Sequence, residues 1–185
     1  MIESDELVLR NFKPGDAGLF ANYRNDPQVA RFQTWKTDID LKYALRFIKQ
    51  MNEIPLFEYD KGEWSQIAIA LKESDRLIGD IGIQIQDPAF GNIEFGITLS
   101  RKFQQRGYAF KSITLLFDYL FAKNTHRIYA VTDYQNTSSI KLLKKLGMRE
   151  EGYYIESYYD QRTKRWRDEM RFALLNREWK NRESG

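Results

Sequence analysis

Residues 100–112, SRKFQQRGYAFKS, set a run of bases and amides around one glycine, between an apolar strand-like segment and an apolar helix-like one. A plain connection would use turn residues; Arg101, Lys102, Gln104, Gln105 and Arg106 stand in their place. A strand ending in a polar loop that opens a helix leaves free N–H groups at the helix start. Those donors and the positive end of the helix dipole favour an anion, a phosphate or pyrophosphate above all. Gly107 permits close backbone approach and small Ala109 keeps the first turn clear. Residues Gln104, Gln105, Arg106, Gly107, Tyr108 and Ala109 therefore form a candidate phosphate cradle. Taken alone, the segment also reads as an ordinary strand–helix turn hinged on glycine, because short glycine motifs match by chance. It is not a Walker loop, lacking the Gly-Lys-Ser/Thr ending, and it holds one of the three glycines of a dinucleotide fingerprint.

Two other places carry reactive types. Glu94 lies between Ile93 and Phe95 in NIEFGITLS, where apolar neighbours are expected to leave it poorly solvated. Burial would raise its pKa toward the range of a useful general base. The plain alternative is a strand glutamate that faces solvent or holds an arginine. Further on, NTSSIKLLKKLGM opens with Asn136 at a helix cap and Ser139 in the first turn, where both types also serve as ordinary caps. With no cysteine and the single histidine His126, there is no thiol nucleophile, disulfide or thiolate metal site. A Ser-His relay or His-rich metal centre is disfavoured, and no metal is expected.

These groups need elements to position them. ELVLRNF (6–12) alternates as an opening strand. A helix follows, with Pro14 at its start and Leu19, Phe20 and Tyr23 at helical spacing. A second helix begins near Thr37 or Asp38 and runs to Met51, after the aromatic loop ARFQTW. WSQIAIALKESDRLIGDIGIQIQD reads as a hairpin turning at Glu73 to Asp75, and residues 92–100 as a further strand. A long helix carries Ala109, Ile113, Leu116, Phe117, Leu120 and Phe121 on one face. RIYAVT (127–132) is a strand, and the Asn136 helix turns Ile140 and Leu143 inward and stops at Gly147. REEGYYIESYY and RWRDEMRFALL close the chain as two strands. The order β-α-α-β-β-β-α-β-α-β-β describes a mixed α/β domain.

At 185 residues the chain can hold one substantial core without needing a second domain. Lys and Arg exceed Asp and Glu by 29 to 26, a net charge of +3 that is too small to imply a nucleic-acid partner. No apolar run approaches the roughly 18 residues of a membrane span, and MIESDELVLR lacks the apolar centre of a signal peptide. A cytoplasmic protein of one domain, 1–185, is expected, as monomer or homodimer.

Gln104-x-x-Gly107-x-Ala109 resembles the Gln/Arg-x-x-Gly-x-Gly/Ala signature of the GNAT acetyltransferases. GNIEFGITLSRKFQQRGYAFKSITLLFDYLF, HRIYAVTDYQNTSSIKLLKKLGMREEG and WRDEMRFALLNREW resemble consecutive blocks of its RimJ/RimL-like branch, and LVLRNFKPGDAGLFANYRNDPQV follows the same branch. The resemblance implies the GNAT fold, a mixed and mostly antiparallel central sheet flanked by helices. It also implies an N-acetyltransferase taking acetyl from acetyl-CoA, whose pyrophosphate would rest in the cradle and whose arm would run past Ile97, Leu99 and Asn136. A backbone N–H near Ile97 would hold the oxyanion, and Glu94 would be the base. Members often place a tyrosine seven residues after the asparagine; here that position is Leu143, which cannot donate a proton, so Ser139 becomes the implied acid. The branch often has glycine where this chain has Gln105. In this fold the acceptor would lie along Arg31, Phe32, Trp35 and the Phe57-to-Trp64 segment. Those residues suit a protein N-terminus, a polyamine or an aminoglycoside equally. A fold of this type that only senses acetyl-CoA is the rival outside enzymology, favoured by Leu143 alone.

Overall fold

The computed structural model describes residues 1–54, 62, 64–87 and 91–181. Among the described residues eight strands form one sheet: β1 (Ile2–Glu3), β2 (Leu7–Arg10), β3 (Trp64–Leu71), β4 (Leu77–Asp87), β5 (Asn92–Leu99), β6 (Arg127–Asp133), β7 (Arg149–Asp160) and β8 (Arg165–Leu175). Their order across the sheet is β1-β2-β3-β4-β5-β6-β8-β7, and every neighbouring pair is antiparallel except β5 with β6. Among the described residues the α-helices are α1 (Ala17–Asn25), α2 (Leu41–Glu53), α3 (Tyr108–Ala122), α4 (Thr137–Lys145) and α5 (Asn176–Lys180). This is the expected GNAT architecture.

Strand alternation sorts the core into two layers. Ile67, Ile69, Ile81, Ile93, Phe95, Ile128 and Phe172 point to one face, where α3 supplies Ile113, Leu116, Phe117 and Phe121. On the other face Ala68 and Leu77 meet Phe20 and Tyr23 of α1 and Ala44 and Ile48 of α2. Burying so many large side chains contributes about 1.5–3 kcal/mol each, and period-2 patterning decides which layer receives them. Beneath α1 a charge is locked into the second layer. Arg24 binds Asp80 at 2.8 Å with both side chains buried, and the Tyr23 hydroxyl donates to the same carboxylate.

Several boundaries differ from the sequence reading. The opening strand is shorter, Leu7–Arg10, and the two-residue β1 precedes it. A 3-10 turn at Pro14–Asp16 leads into α1. The second helix starts at Leu41, not near Thr37, because Asp40 is the cap: its carboxylate accepts the Tyr43 N–H at 2.6 Å. Part of ARFQTW, Ala30–Phe32, is a 3-10 turn. The short α5 after β8 was not anticipated. The turn between β3 and β4, the cap at Asn136 and the stop at Gly147 stand as expected, with Gly147 at φ 80°.

Candidate active site

The parallel pair sets the site. A parallel connection needs a crossover, and here α3 carries the chain from the end of β5 to the start of β6. The C-terminal ends of β5 and β6 consequently lie at the same end of the sheet, where α3 and α4 begin, the usual place for a ligand in such a unit. The strands pair only through Asn92–Arg127, Ile93–Ile128 and Glu94–Tyr129 among the described residues. Beyond that point β5 runs on to Leu99, still paired with β4, and β6 runs on to Asp133, paired with β8. The two strands part in a wedge. Backbone groups along the β6 side of residues 95–99, Ile97 included, need a partner from outside the sheet.

At the end of β5 the chain makes a 3-10 turn, Arg101–Phe103, and enters α3 through 104–107. Gln104 donates its side-chain amide to the Leu99 carbonyl at 2.9 Å, tying the loop to the strand end. Gln105 has φ 60° and Gly107 φ 82°, with Arg106 of the opposite hand between them. A chain alternating hand in this way gathers successive N–H groups on its concave side. Gly107 is the N-cap of α3 and no side chain caps it, so the first-turn N–H groups of Tyr108, Ala109 and Phe110 have no intrahelical acceptor. A Cβ built on Gly107 would meet nothing within 4 Å. Left-handed backbone, more than crowding, requires glycine here, and the free space beside it is what a phosphate group would occupy. The residues present fit the pyrophosphate end of acetyl-CoA.

Glu94 sits where the wedge opens. Its neighbours Ile93 and Phe95 point away, into the α3 layer, so they do not desolvate it as the sequence reading supposed. Cross-strand partners do: Glu94 stands opposite Gln84 on β4 and Tyr129 on β6. The Tyr129 hydroxyl donates to Glu94 Oε2 at 2.9 Å. Burial raises the Glu94 pKa above the ordinary carboxylate value; Tyr129 and Arg171 oppose that rise, and Glu169 adds to it. Tyr129 is pushed up to about 12 by burial and by its bond to Glu94. The Arg171 guanidinium lies 4.9 Å from the Tyr129 ring and 5.4 Å from that of Tyr154, and its buried Nε has no hydrogen-bond partner among the described residues. Sequence reading missed Tyr129, Arg171 and Glu169. The only signal for them was strand alternation combined with a register that sequence does not supply.

Across the wedge, Asn136 Oδ1 accepts the Ser139 N–H at 3.2 Å, capping α4. Ser139 is half-buried. Leu143 is 2% exposed and belongs to the core, so neither its chemistry nor its direction serves the site.

On the acceptor side, Arg31 is exposed and its guanidinium lies 4.9 Å from the ring of half-buried Phe32. The Arg31 carbonyl accepts a hydrogen bond from Arg162, at the tip of the β7–β8 hairpin, at 2.6 Å. That contact closes the loop after α1 onto the hairpin. Trp35 is occupied in packing: its indole N–H donates to the Arg24 carbonyl at 3.0 Å and its ring lies 4.2 Å from the Arg24 guanidinium. Phe57 lies outside the described residues, and Trp64 is an exposed first residue of β3. Among the described residues, no group of His, Cys, Asp or Glu could hold a metal ion, and no helix is long and apolar enough to cross a membrane.

Comparison with known proteins gives the family. The model of the acetyltransferase (GNAT) domain matches residues 6–149. The uncharacterized N-acetyltransferase p20 of Bacillus licheniformis is 32% identical over 177 residues, 95% of this chain and 96% of that one. In fold, spermidine N-acetyltransferase from Vibrio cholerae, solved with CoA and spermine, aligns with TM-score 0.79 at 20% identity, over 96% of this chain and all of that one. Ribosomal-protein-S5-alanine acetyltransferase from Vibrio fischeri aligns equally well at 23% identity, over 96% of this chain and 97% of its own. This chain belongs to the GNAT acetyltransferase family, which uses acetyl-CoA, and is an acyltransferase.

Proposed function

We propose that residues 1–185 act as one catalytic unit that moves the acetyl group of acetyl-CoA to a primary amine, and that the acceptor is a protein N-terminal α-amine, in keeping with the RimJ/RimL-like resemblance. The observation that carries the catalytic reading is Glu94 held by Tyr129 at the point where β5 and β6 part. Acetyl-CoA would lie with its pyrophosphate on 104–109 and its arm in the wedge, along Ile97, Leu99 and Asn136. An amine attacks only when neutral, so Glu94, with its raised pKa, removes the proton directly or through water. A backbone N–H on the unpaired edge near Ile97 holds the charge that develops on the carbonyl oxygen. Ser139 returns a proton to the departing sulfur. That step needs the least help, because a thiol titrates near 8.5 and its thiolate already leaves fairly well.

The acceptor assignment draws on the exposed apolar groups beside the cleft. Tyr134, Tyr153, Tyr154 and Ile155 are all more than a third exposed, with Tyr134 and Tyr153 edge to face at 6.2 Å. An extended peptide can use such a surface and a compact amine cannot. Arg31 and Phe32 would border the peptide's far end. One observation favours a second reading, a small polyamine-type acceptor: Glu169 lies near enough to Glu94 to raise its pKa, and two carboxylates suit a substrate with two ammonium groups. A panel of N-terminal peptides, polyamines and aminoglycosides, followed by release of free thiol from acetyl-CoA, separates the readings. A peptide with higher kcat/KM than any small amine supports the first. Preference for polyamines selects the second. Tight CoA binding without turnover on any acceptor would leave a sensor.

A further inference from the structure

A second polar concavity lies outside this machinery. A cavity of about 280 Å³ opens between α1, the first residues of β4 and the turn that ends β5. Its size is near the lower end of small-molecule sites, roughly 300–1,000 Å³. Arg76, Arg101 and Lys102 line it, against a single carboxylate, Asp26, which Arg101 engages at 3.5 Å. Arg76 and Lys102 form no ion pair with any described residue, and unexplained cations gathered around a concavity raise the local concentration of anions. Leu77 and Phe103 give the cavity an apolar floor. The Phe103 ring also pre-organises Arg76, whose guanidinium lies 5.9 Å from it.

The cavity is not the cradle. Its α1 wall belongs to the layer of Phe20 and Tyr23, whereas α3, whose N-terminus makes the cradle, packs on the opposite face of the sheet. The Arg101–Phe103 turn separates the two. We propose that this cavity binds a small polyanion, a polycarboxylate or a phosphate compound, at a site separate from that of acetyl-CoA. The occupant would take its charge-assisted bonds from Arg76 and Lys102, and any effect on the cradle would pass through the turn that leads directly into it.

Calorimetric titration with citrate and with inorganic pyrophosphate tests this, on the protein alone and on the protein saturated with CoA. The two probes distinguish a carboxylate from a phosphate source. One-site binding that persists under saturating CoA is expected for at least one of them. Affinity should fall at least about tenfold in the Arg76→Ala/Lys102→Ala double variant. It should hold in Lys42→Ala/Lys49→Ala, which removes the same charge from α2. Absence of binding by both probes overturns the proposal, as does binding indifferent to the Arg76/Lys102 change. Loss of binding on adding CoA overturns it too, by assigning these cations to CoA itself. Failure of CoA to bind at all would refute the acetyl-CoA assignment and leave the first titration to judge the cavity.

Discussion

Replacing Tyr129 with phenylalanine isolates one hydrogen bond. The ring stays, so its packing in a site only 7% exposed and its contact with the Arg171 guanidinium stay with it. What goes is the hydroxyl that donates to Glu94 Oε2 at 2.9 Å. That donation favours the ionised carboxylate, so losing it raises the Glu94 pKa further above its already elevated position. A hydrogen bond to a charged group is worth about 1.5–3 kcal/mol net. Glu94 is only half-buried and water can replace part of the loss, which argues for the lower end. At about 1.4 kcal/mol per pH unit, the shift is about one unit. The base must be ionised to work, so the acidic limb of kcat/KM should move up by about one pH unit. Activity well below that limb should fall about tenfold, while activity above it stays level or rises slightly. A pH series on both proteins with one acceptor makes the acceptor's own titration cancel. A uniform loss with the limb unmoved would refute the reasoning and leave Tyr129 as packing.

Glu94→Gln should keep CoA affinity and lose roughly two to four orders of magnitude in turnover near neutrality, with partial recovery at high pH, where free amine no longer needs a base; stopped assays across pH read both. Ser139→Ala keeps the backbone N–H that Asn136 caps, so it should cost less, and its deficit should widen as pH rises and solvent acid becomes scarce. In Gly107→Glu the side chain has room but carries size and negative charge into the cradle, so calorimetry should detect no CoA binding. The φ of 82° adds strain of roughly 1–2 kcal/mol. Asp80→Asn strips the charge that faces buried Arg24, and urea unfolding should show a loss of about 3 kcal/mol or more.

The elements that sequence displayed well are those with enough turns or alternations to carry a period. The six buried positions of α3 from Ser112 to Phe121 and the hairpin of β3 and β4 are of this kind. The two residues of β1 and the five of α5 are too short to show any period, and they exist because β2 and β8 offer them a neighbour. The start of α2 was displaced because Thr37, Asp38 and Asp40 are all cap types within four residues, and only geometry tells which carboxylate reaches a free N–H. The loop proposed as the cradle could be picked out because its glycine, bases and amides lie in one continuous segment. The surroundings of Glu94 could not, because the groups that set its pKa come from β6 and β8. Its sequence neighbours misled, since adjacent residues of a strand face opposite sides. Gln105 sits between these cases: its departure from the glycine that the branch resemblance implies was visible, and the position is left-handed at φ 60°.

The parting of β5 and β6 explains why these groups belong together. Two parallel strands that stop pairing after Glu94 and Tyr129 give up ladder hydrogen bonds along residues 95–99, and each backbone group left buried without a partner costs free energy comparable to a lost hydrogen bond. Antiparallel pairing of β4 with β5 and of β6 with β8 holds both strands rigid through the same stretch, so the wedge cannot close to recover that cost. A ligand arm with its own amides is what such an edge can accept, and the uncapped N-terminus of α3 stands at the mouth, where an anionic end would be received. The last paired residues are then the deepest point the arm can reach. Glu94 and Tyr129 are those residues, which is why the proposed base is the carboxylate of β5. A base proposed at that depth would need no motion to meet its substrate, and burial is what raises the Glu94 pKa.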